Sequence, residues 1–414
     1  MKQQTGETNQ QTGDTNLGKK PLAIYVHIPF CVKKCYYCDF LSGPAEKKSK
    51  DEYIEALIHE IHSYGELAKD YMVKTIFIGG GTPSSIEESQ IAAIMKALEE
   101  VFHFQAKDDQ EMEITIEINP GAVTEEKLRT YLNAGINRIS FGLQSANNEE
   151  LKMLGRIHTF EEFLENYRLA RKVGFKNINI DLMSALPGQT MESYLNTLEQ
   201  IIALHPEHIS AYSLIIEEGT PFYKMYGDEK KQTSGLKLPS EEVDRKMYET
   251  TRQLMHEHGY ERYEISNYAK ASYECKHNCT YWLRGDYLGI GNGAASLIGT
   301  ERFSNERDLQ TYIELAKKKI DTNYHKNLHV EVEVLDERAQ MEEFMFLGLR
   351  MIEGVSIQRF KESFHKDLFE VYGNVIATLI EKKLLEEKNG HLALTEYGID
   401  ISNYVMSEFL FDEE

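Results

Sequence analysis

Cys31, Cys35 and Cys38 form a C-x3-C-x2-C triad. Three thiolates so close along the chain can ligate one metal centre. If that centre is a cubane iron-sulfur cluster, three protein ligands leave one iron open for another molecule. A structural zinc site is the competing chemistry, and it would want a fourth Cys or His at suitable spacing. The chain has 414 residues and only five cysteines, which is not a disulfide scaffold, and its N-terminus has no apolar stretch of signal-peptide type. Reduced thiols in a cytoplasmic protein are therefore expected. A second chemical signal is GGGTPS at 79 to 84. Glycines let backbone groups approach a ligand and permit dihedrals closed to other residues, although a tight strand-to-helix turn would use them too.

These residues need elements to position them. The triad lies on the loop leaving LAIYVHI at 22 to 28, an apolar run that reads as a buried strand. Further strands are expected at 75 to 79, 113 to 118, 138 to 143, 178 to 183 and 208 to 214. Helical patterns separate them at roughly 51 to 69, 87 to 102, 124 to 134, 147 to 155, 160 to 173 and 191 to 204. Near-continuous apolar strands followed by helices imply an α/β fold with a parallel sheet. A barrel is preferred to a doubly wound sheet, because polar and glycine residues recur just past strand ends, at Gly79 to Thr82, Asn119, Gln144 and Pro187 to Gly188. That is where a (β/α) barrel holds its ligands.

Four regions are expected. Residues 1 to 19, with QQTGETN nearly repeated as QQTGDTN, read as a disordered tail. Residues 20 to 225 form the barrel core, 226 to 335 an extension packed on it, and 336 to 414 a winged-helix-like α+β domain with an Asn-Gly turn between two short strands. A winged helix suggests DNA binding, but this one carries 8 Lys and Arg against 17 Asp and Glu, and the whole chain carries −21. Nucleic acid is thus excluded as a main partner, and a protein-interaction or lid role is expected. No apolar run approaches the ~20 residues needed to span a bilayer.

IYVHIPFCVKKCYYCDF at 24 to 40 resembles the signature of the radical S-adenosylmethionine superfamily. GGGTPS, EINPGAVTEEKL, FGLQSANNEELKMLGRIH and INIDLMSALPGQT extend the resemblance to the oxygen-independent coproporphyrinogen III oxidase family, over roughly residues 20 to 405. It implies a partial (β/α)6 barrel and a [4Fe-4S] cluster on Cys31, Cys35 and Cys38. It also implies S-adenosylmethionine contacts at Tyr25, Tyr37, Gly80, Gly81, Thr82, Glu117, Gln144, Arg156 and Asp181. The chemistry suits those roles. The carboxylates of Glu117 and Asp181 can accept from the cofactor's amine or ribose hydroxyls, Arg156 can pair with its carboxylate, and Tyr37 offers a face to the adenine.

The oxidase motif adds a fourth cysteine two positions after the third, where this chain has Phe40, preceded by Asp39. That departure puts decarboxylation in doubt and is similar to the HemW subgroup of heme chaperones, as is HNCTYW at 277 to 282. By this resemblance His277 is the candidate heme-iron ligand, with Cys275 the second choice. Trp282 could pack on a porphyrin face or line a core. The first functional expectation is a chaperone that delivers heme to acceptor proteins such as respiratory cytochromes. The cluster and S-adenosylmethionine would then be structural, dimerising or regulatory, in a monomer or a cluster-dependent homodimer. The alternative is an enzyme in which the reduced cluster cleaves S-adenosylmethionine to a radical that drives oxidative decarboxylation of coproporphyrinogen III. A radical enzyme on another substrate is a third reading.

Overall fold

The computed structural model describes residues 18–104, 112–227, 235–318 and 324–411. The expected tail lies, except for its last two residues, outside them. Each of the six apolar runs is a strand: β1 (Lys20–Ile28), β2 (Tyr71–Gly80), β3 (Glu113–Ile118), β4 (Arg138–Gln144), β5 (Asn177–Ser184) and β6 (His208–Ser213). They pair in parallel in chain order, as the barrel requires. Ile24, Val26, Ile76, Ile116, Ile139 and Ile180 are fully buried on one face, each worth roughly 1.5–3 kcal/mol. The alternate positions point to the other face, and there they are polar: Thr115 and Glu117 on β3, Asn179 and Asp181 on β5, Ser210 and Tyr212 on β6.

Six helices fill the connections: α1 (Lys47–Ser63), α2 (Glu88–Val101), α3 (Glu125–Asn133), α4 (Asn148–Met153), α5 (Phe160–Val173) and α6 (Met191–Ile202). Thr124, Asn147, Thr159 and Thr190 cap α3 to α6 by accepting first-turn N–H groups, about 1 kcal/mol each. These caps explain why the helix starts agree so closely with the sequence pattern.

The sheet continues past both ends of this parallel core. After α7 (Pro221–Tyr226) and α8 (Glu241–Glu257), β7 (Glu261–Glu264) and β8 (Asn267–Ala269) add antiparallel strands beside β6. After α9 (Lys276–Trp282), β9 (Tyr287–Ile290) pairs parallel with β1. β10 (Ala295–Ile298), β11 (Glu301–Asn305) and β12 (His329–Val334), with α10 (Leu309–Lys317) before β12, complete that side. The sequence at 285 to 293 shows only a glycine-rich segment. Strands of three to six residues with polar or glycine positions carry too little periodicity to read. Gly289 belongs to β9 because a Cβ there would meet the Ala295 carbonyl oxygen at 2.3 Å.

From α11 (Glu337–Gly348) onward a second core forms around residues such as Met345, Phe360, Leu368, Leu379 and Leu392. Its sheet joins β13 (Val355–Ser356), β14 (Leu385–Lys388) and β15 (His391–Leu394). The expected Asn-Gly turn connects β14 to β15, with both Asn389 and Gly390 at positive φ, the geometry of a tight hairpin. No helix is long and apolar enough to cross a membrane among the described residues.

Buried Glu60 on α1 ties the glycine-rich side to the barrel. Its carboxylate accepts from Tyr312 Oη at 2.5 Å, Asn305 Nδ2 at 2.6 Å, Gly291 N at 2.9 Å and Tyr64 Oη at 3.3 Å. Burial nevertheless pushes its carboxyl up to about 7. A carboxyl raised in the folded state favours folding below its ordinary value of 4.5 and loses that contribution as pH climbs through 7. Glu60→Ala strips these donors of their acceptor and should cost about 3 kcal/mol or more in urea unfolding. The wild type should also lose stability between pH 4.5 and pH 7 with a slope that the variant lacks.

Candidate cofactor site

The C-terminal ends of the parallel strands surround one cavity of about 520 Å³, within the range of small-molecule sites. The cysteine loop closes its mouth. Cys31 N donates to Gly43 O and Gly43 N to Pro29 O, both at 2.9 Å, so the loop is pinched at its neck. Tyr36 N donates to Leu154 O at 3.1 Å, and His27 Nε2 holds Leu41 O at 3.0 Å. All three triad cysteines line the cavity. Thr82 Oγ1 donates toward Cys31 Sγ at 3.6 Å and Arg156 Nη1 toward Cys35 Sγ at 3.5 Å. Both donors point at sulfurs of the triad. A cubane takes each thiolate on a different iron and so suits ligands spread around a loop.

Eight of the nine residues expected to hold S-adenosylmethionine line this cavity: Tyr37, Gly80, Gly81, Thr82, Glu117, Gln144, Arg156 and Asp181. The glycine loop is a cradle. At Gly81 a Cβ would sit 2.8 Å from Phe30 O and 2.9 Å from Ile28 O, and Gly80 has φ +108° with its Cβ position against His27 Nδ1. Glu117 Oε2 accepts from Gly80 N at 3.1 Å, which orients the loop. Burial, then the neighbouring charge of Asp181, pushes the Glu117 carboxyl up to about 8. Burial raises Asp181 as well. Gln144 takes φ +79° at a register shift in β4, a bulge that re-aims a strand-end side chain. Its Oε1 accepts from Tyr212 Oη at 3.1 Å.

Arg156 also donates to Asn119 Oδ1 and Gly142 O, while its buried Nε has no partner. Buried donors are rarely left so, and an anion such as a methionine carboxylate would complete this one. The donor set, the glycine cradle and the unpaired guanidinium nitrogen fit S-adenosylmethionine. When bound, the cluster supplies one-electron chemistry and an open iron. This chain supplies the thiolates, the arginine and the two carboxylates that would orient the cofactor.

Tyr25 lies apart from the cavity lining. Its hydroxyl bonds His27 Nδ1 at 3.0 Å, behind Gly80. His277 also lies elsewhere: it is 1 % exposed, with Nδ1 2.9 Å from Thr75 Oγ1 and Nε2 2.8 Å from Tyr281 Oη. Burial lowers its pKa to about 3, so the ring is neutral with both nitrogens engaged. Cys275, the second heme-ligand choice, is fully buried with its thiol on Glu113 Oε1 at 3.5 Å, and burial pushes that thiol up. From this motif it is Asn278 that lines the cavity. Trp282 packs under the Arg350 guanidinium at 4.3 Å, next to the buried pair of Arg284 and Glu343 at 3.0 Å. These contacts fasten the C-terminal domain to the end of α9.

The sequence reading missed Arg138, Ser140, Asn179, Ser210, Tyr212, Asn267 and Asn278 as lining residues. A signal was present for the strand residues: Arg138 and Ser140, Asn179 and Asp181, Ser210 and Tyr212 are polar pairs two apart inside apolar strands, the period of a single sheet face.

Replacing Cys31, Cys35 or Cys38 with Ala should abolish iron and sulfide loading under anaerobic reconstitution; retained loading in all three would refute the ligand set. Gly81→Ala should keep the three thiols yet lower the unfolding midpoint and weaken S-adenosylmethionine binding at least tenfold, read by equilibrium dialysis, because its Cβ meets backbone oxygens that cannot swing aside.

The radical SAM superfamily matches residues 25–201 and the HemN C-terminal domain matches residues 335–401. The chain is 37% identical over 396 residues to a protein of Lactococcus lactis named heme chaperone HemW, covering 95% of this chain and 99% of that one. It is 38% identical to the Bacillus subtilis protein of the same name, covering 94% and 99%. Among solved structures it resembles coproporphyrinogen III oxidase (HemN) from Escherichia coli, a radical SAM enzyme, with a TM-score of 0.79 at 26% identity over 95% of this chain and 91% of that one. With this extent of identity over nearly its whole length, the chain belongs to the HemW family of the radical SAM superfamily.

Proposed function

We propose that this protein is a heme chaperone of the cytoplasm that holds heme and passes it to acceptor proteins such as respiratory cytochromes, with the cluster and S-adenosylmethionine in a structural, dimerising or regulatory role. The observation that carries the reading is Phe40. It lines the cavity mouth at 65 % exposure, in the place where the oxidase motif has its fourth cysteine. A bulky ring stands where that motif has a polar thiol. Ile215, 69 % exposed, stands on the same rim, so the mouth offers apolar surface to a large flat ligand. The names of the relatives at 37% and 38% identity support the same reading, and five free thiols suit a reducing compartment.

For His277 to ligate heme iron one ring nitrogen must give up its partner, Thr75 or Tyr281, and the buried ring must be uncovered by movement of α9. Heme binding at this residue is therefore expected to be coupled to movement of α9. The second reading, radical decarboxylation of coproporphyrinogen III, rests on the whole-chain likeness to the oxidase structure.

An anaerobic titration of heme into cluster-loaded protein tests the proposal. A saturable Soret shift near one heme per chain is expected, weakened in His277→Ala if that side chain reaches the iron. Absence of specific heme binding, together with sustained protoporphyrinogen formation from coproporphyrinogen by the reduced protein, would favour the enzyme instead.

A further inference from the structure

We propose that His208 is a positioning residue for S-adenosylmethionine, acting through Asn179 to aim the carboxylate of Asp181 into the cavity. The inference rests on reading that cavity as the cofactor's seat. Asn179 and Asp181 stand two apart on β5 and so share a face, and His208 on β6 lies in register with Asn179. His208 Nδ1 is 2.6 Å from Asn179 Oδ1, and its Nε2 is 2.8 Å from Tyr263 Oη. An amide oxygen only accepts, so Nδ1 carries the proton. Nε2 must then accept from the Tyr263 hydroxyl, whose oxygen in turn accepts from Cys275 N at 3.1 Å. Burial holds the ring neutral.

This arrangement decides which way the Asn179 amide faces. Its oxygen is held by His208 and by Ser210 Oγ at 3.2 Å. Its nitrogen therefore turns to Asp181 Oδ1 at 2.7 Å and Ser140 Oγ at 2.8 Å. The Ser140 hydroxyl in turn donates to Asp181 Oδ2 at 3.3 Å. Each carboxylate oxygen thus receives a donor from behind. Asp181 lines the cavity, while His208 is 1 % exposed and does not. Without the Nδ1–H donor the Asn179 oxygen keeps only Ser210 Oγ, so the amide that donates to Asp181 is held less firmly in place.

The chain of bonds runs from the Asp181 carboxylate to the start of α9, where Glu113 accepts from His277 N at 3.1 Å and from the Cys275 thiol. His208 is its turning point. Neither His208 nor Tyr263 stood out in the sequence.

The test is S-adenosylmethionine affinity by equilibrium dialysis on cluster-loaded, anaerobic protein, with iron content and unfolding midpoint measured alongside. His208→Leu should weaken binding about tenfold, the scale of one lost buried hydrogen bond, with iron content unchanged. His208→Asn keeps an N–H near the position of Nδ1 and should restore affinity to within about threefold. The decisive comparison is a double-mutant cycle: His208→Leu added to Asn179→Ala should cause no further loss, because the histidine works through the asparagine. Tyr263→Phe, which frees the ring's tautomer, should weaken binding about threefold, and it carries the test if His208→Leu does not fold. Wild-type affinity in His208→Leu or in Tyr263→Phe, or losses that add in the double variant, would overturn the proposal. A wild type that fails to bind S-adenosylmethionine at all would instead overturn the reading of the cavity, and this inference with it.

Discussion

A polar group carried into the interior of a barrel must find its partner there, because water is scarce and the strand gives it no other direction to point. Most of this molecule follows from that constraint. The inward positions of β3 to β6 include Thr, Glu, Arg, Ser, Asn, Asp, His and Tyr, and neighbouring strands satisfy one another: Thr115 takes Arg138, Ser140 and Asn179 take Asp181, and Asn179 takes His208. The loops at the strand ends inherit the same logic. Arg156 leans on Asn119 and Gly142 before it reaches Cys35, and Glu117 holds the glycine loop before it can touch a ligand. These side chains hold one another in place, and such preorganisation lowers what binding must spend on ordering.

The outward half of each strand was legible in the sequence because apolar runs such as LAIYVHI and EITIEI are long and bounded by loops and helix caps. So were the cysteines, the glycine loop and the residues just past strand ends, which follow from chain spacing alone. Less legible was anything that depends on two strands meeting. Nothing in His208 or Tyr263 taken singly distinguishes a spacer from a relay, since 55 residues separate them and only the pairing of β6 with β8, and of β8 with β7, brings them together.

His277 is the converse case. Its motif drew attention to an imidazole suited to iron, yet in this conformation the imidazole is a clasp between β2 and α9, and the adjacent Asn278 faces the cavity. On a helix, neighbouring residues point about 100° apart, so a motif that names both leaves open which one meets the ligand. The same segment ends in Trp282 beneath Arg350. The C-terminal domain thus grips the helix whose first turn receives the relay, and any displacement of α9 must be felt by that domain.

One feature of the sheet bears on how the chain comes to be folded. β1 carries the cysteine loop and begins the barrel, but one of its two edges is completed by β9, more than 250 residues later. On the ribosome, β1 can join β2 early, while its other edge stays without a partner until residues 287–290 have emerged and Glu60 can close on Gly291 and Asn305. An unpaired strand edge is prone to join foreign strands, and here it belongs to the strand that feeds the metal loop. Synthesis that stalls before the glycine-rich segment would leave that nascent edge open, so the last part of the barrel to be made protects the first.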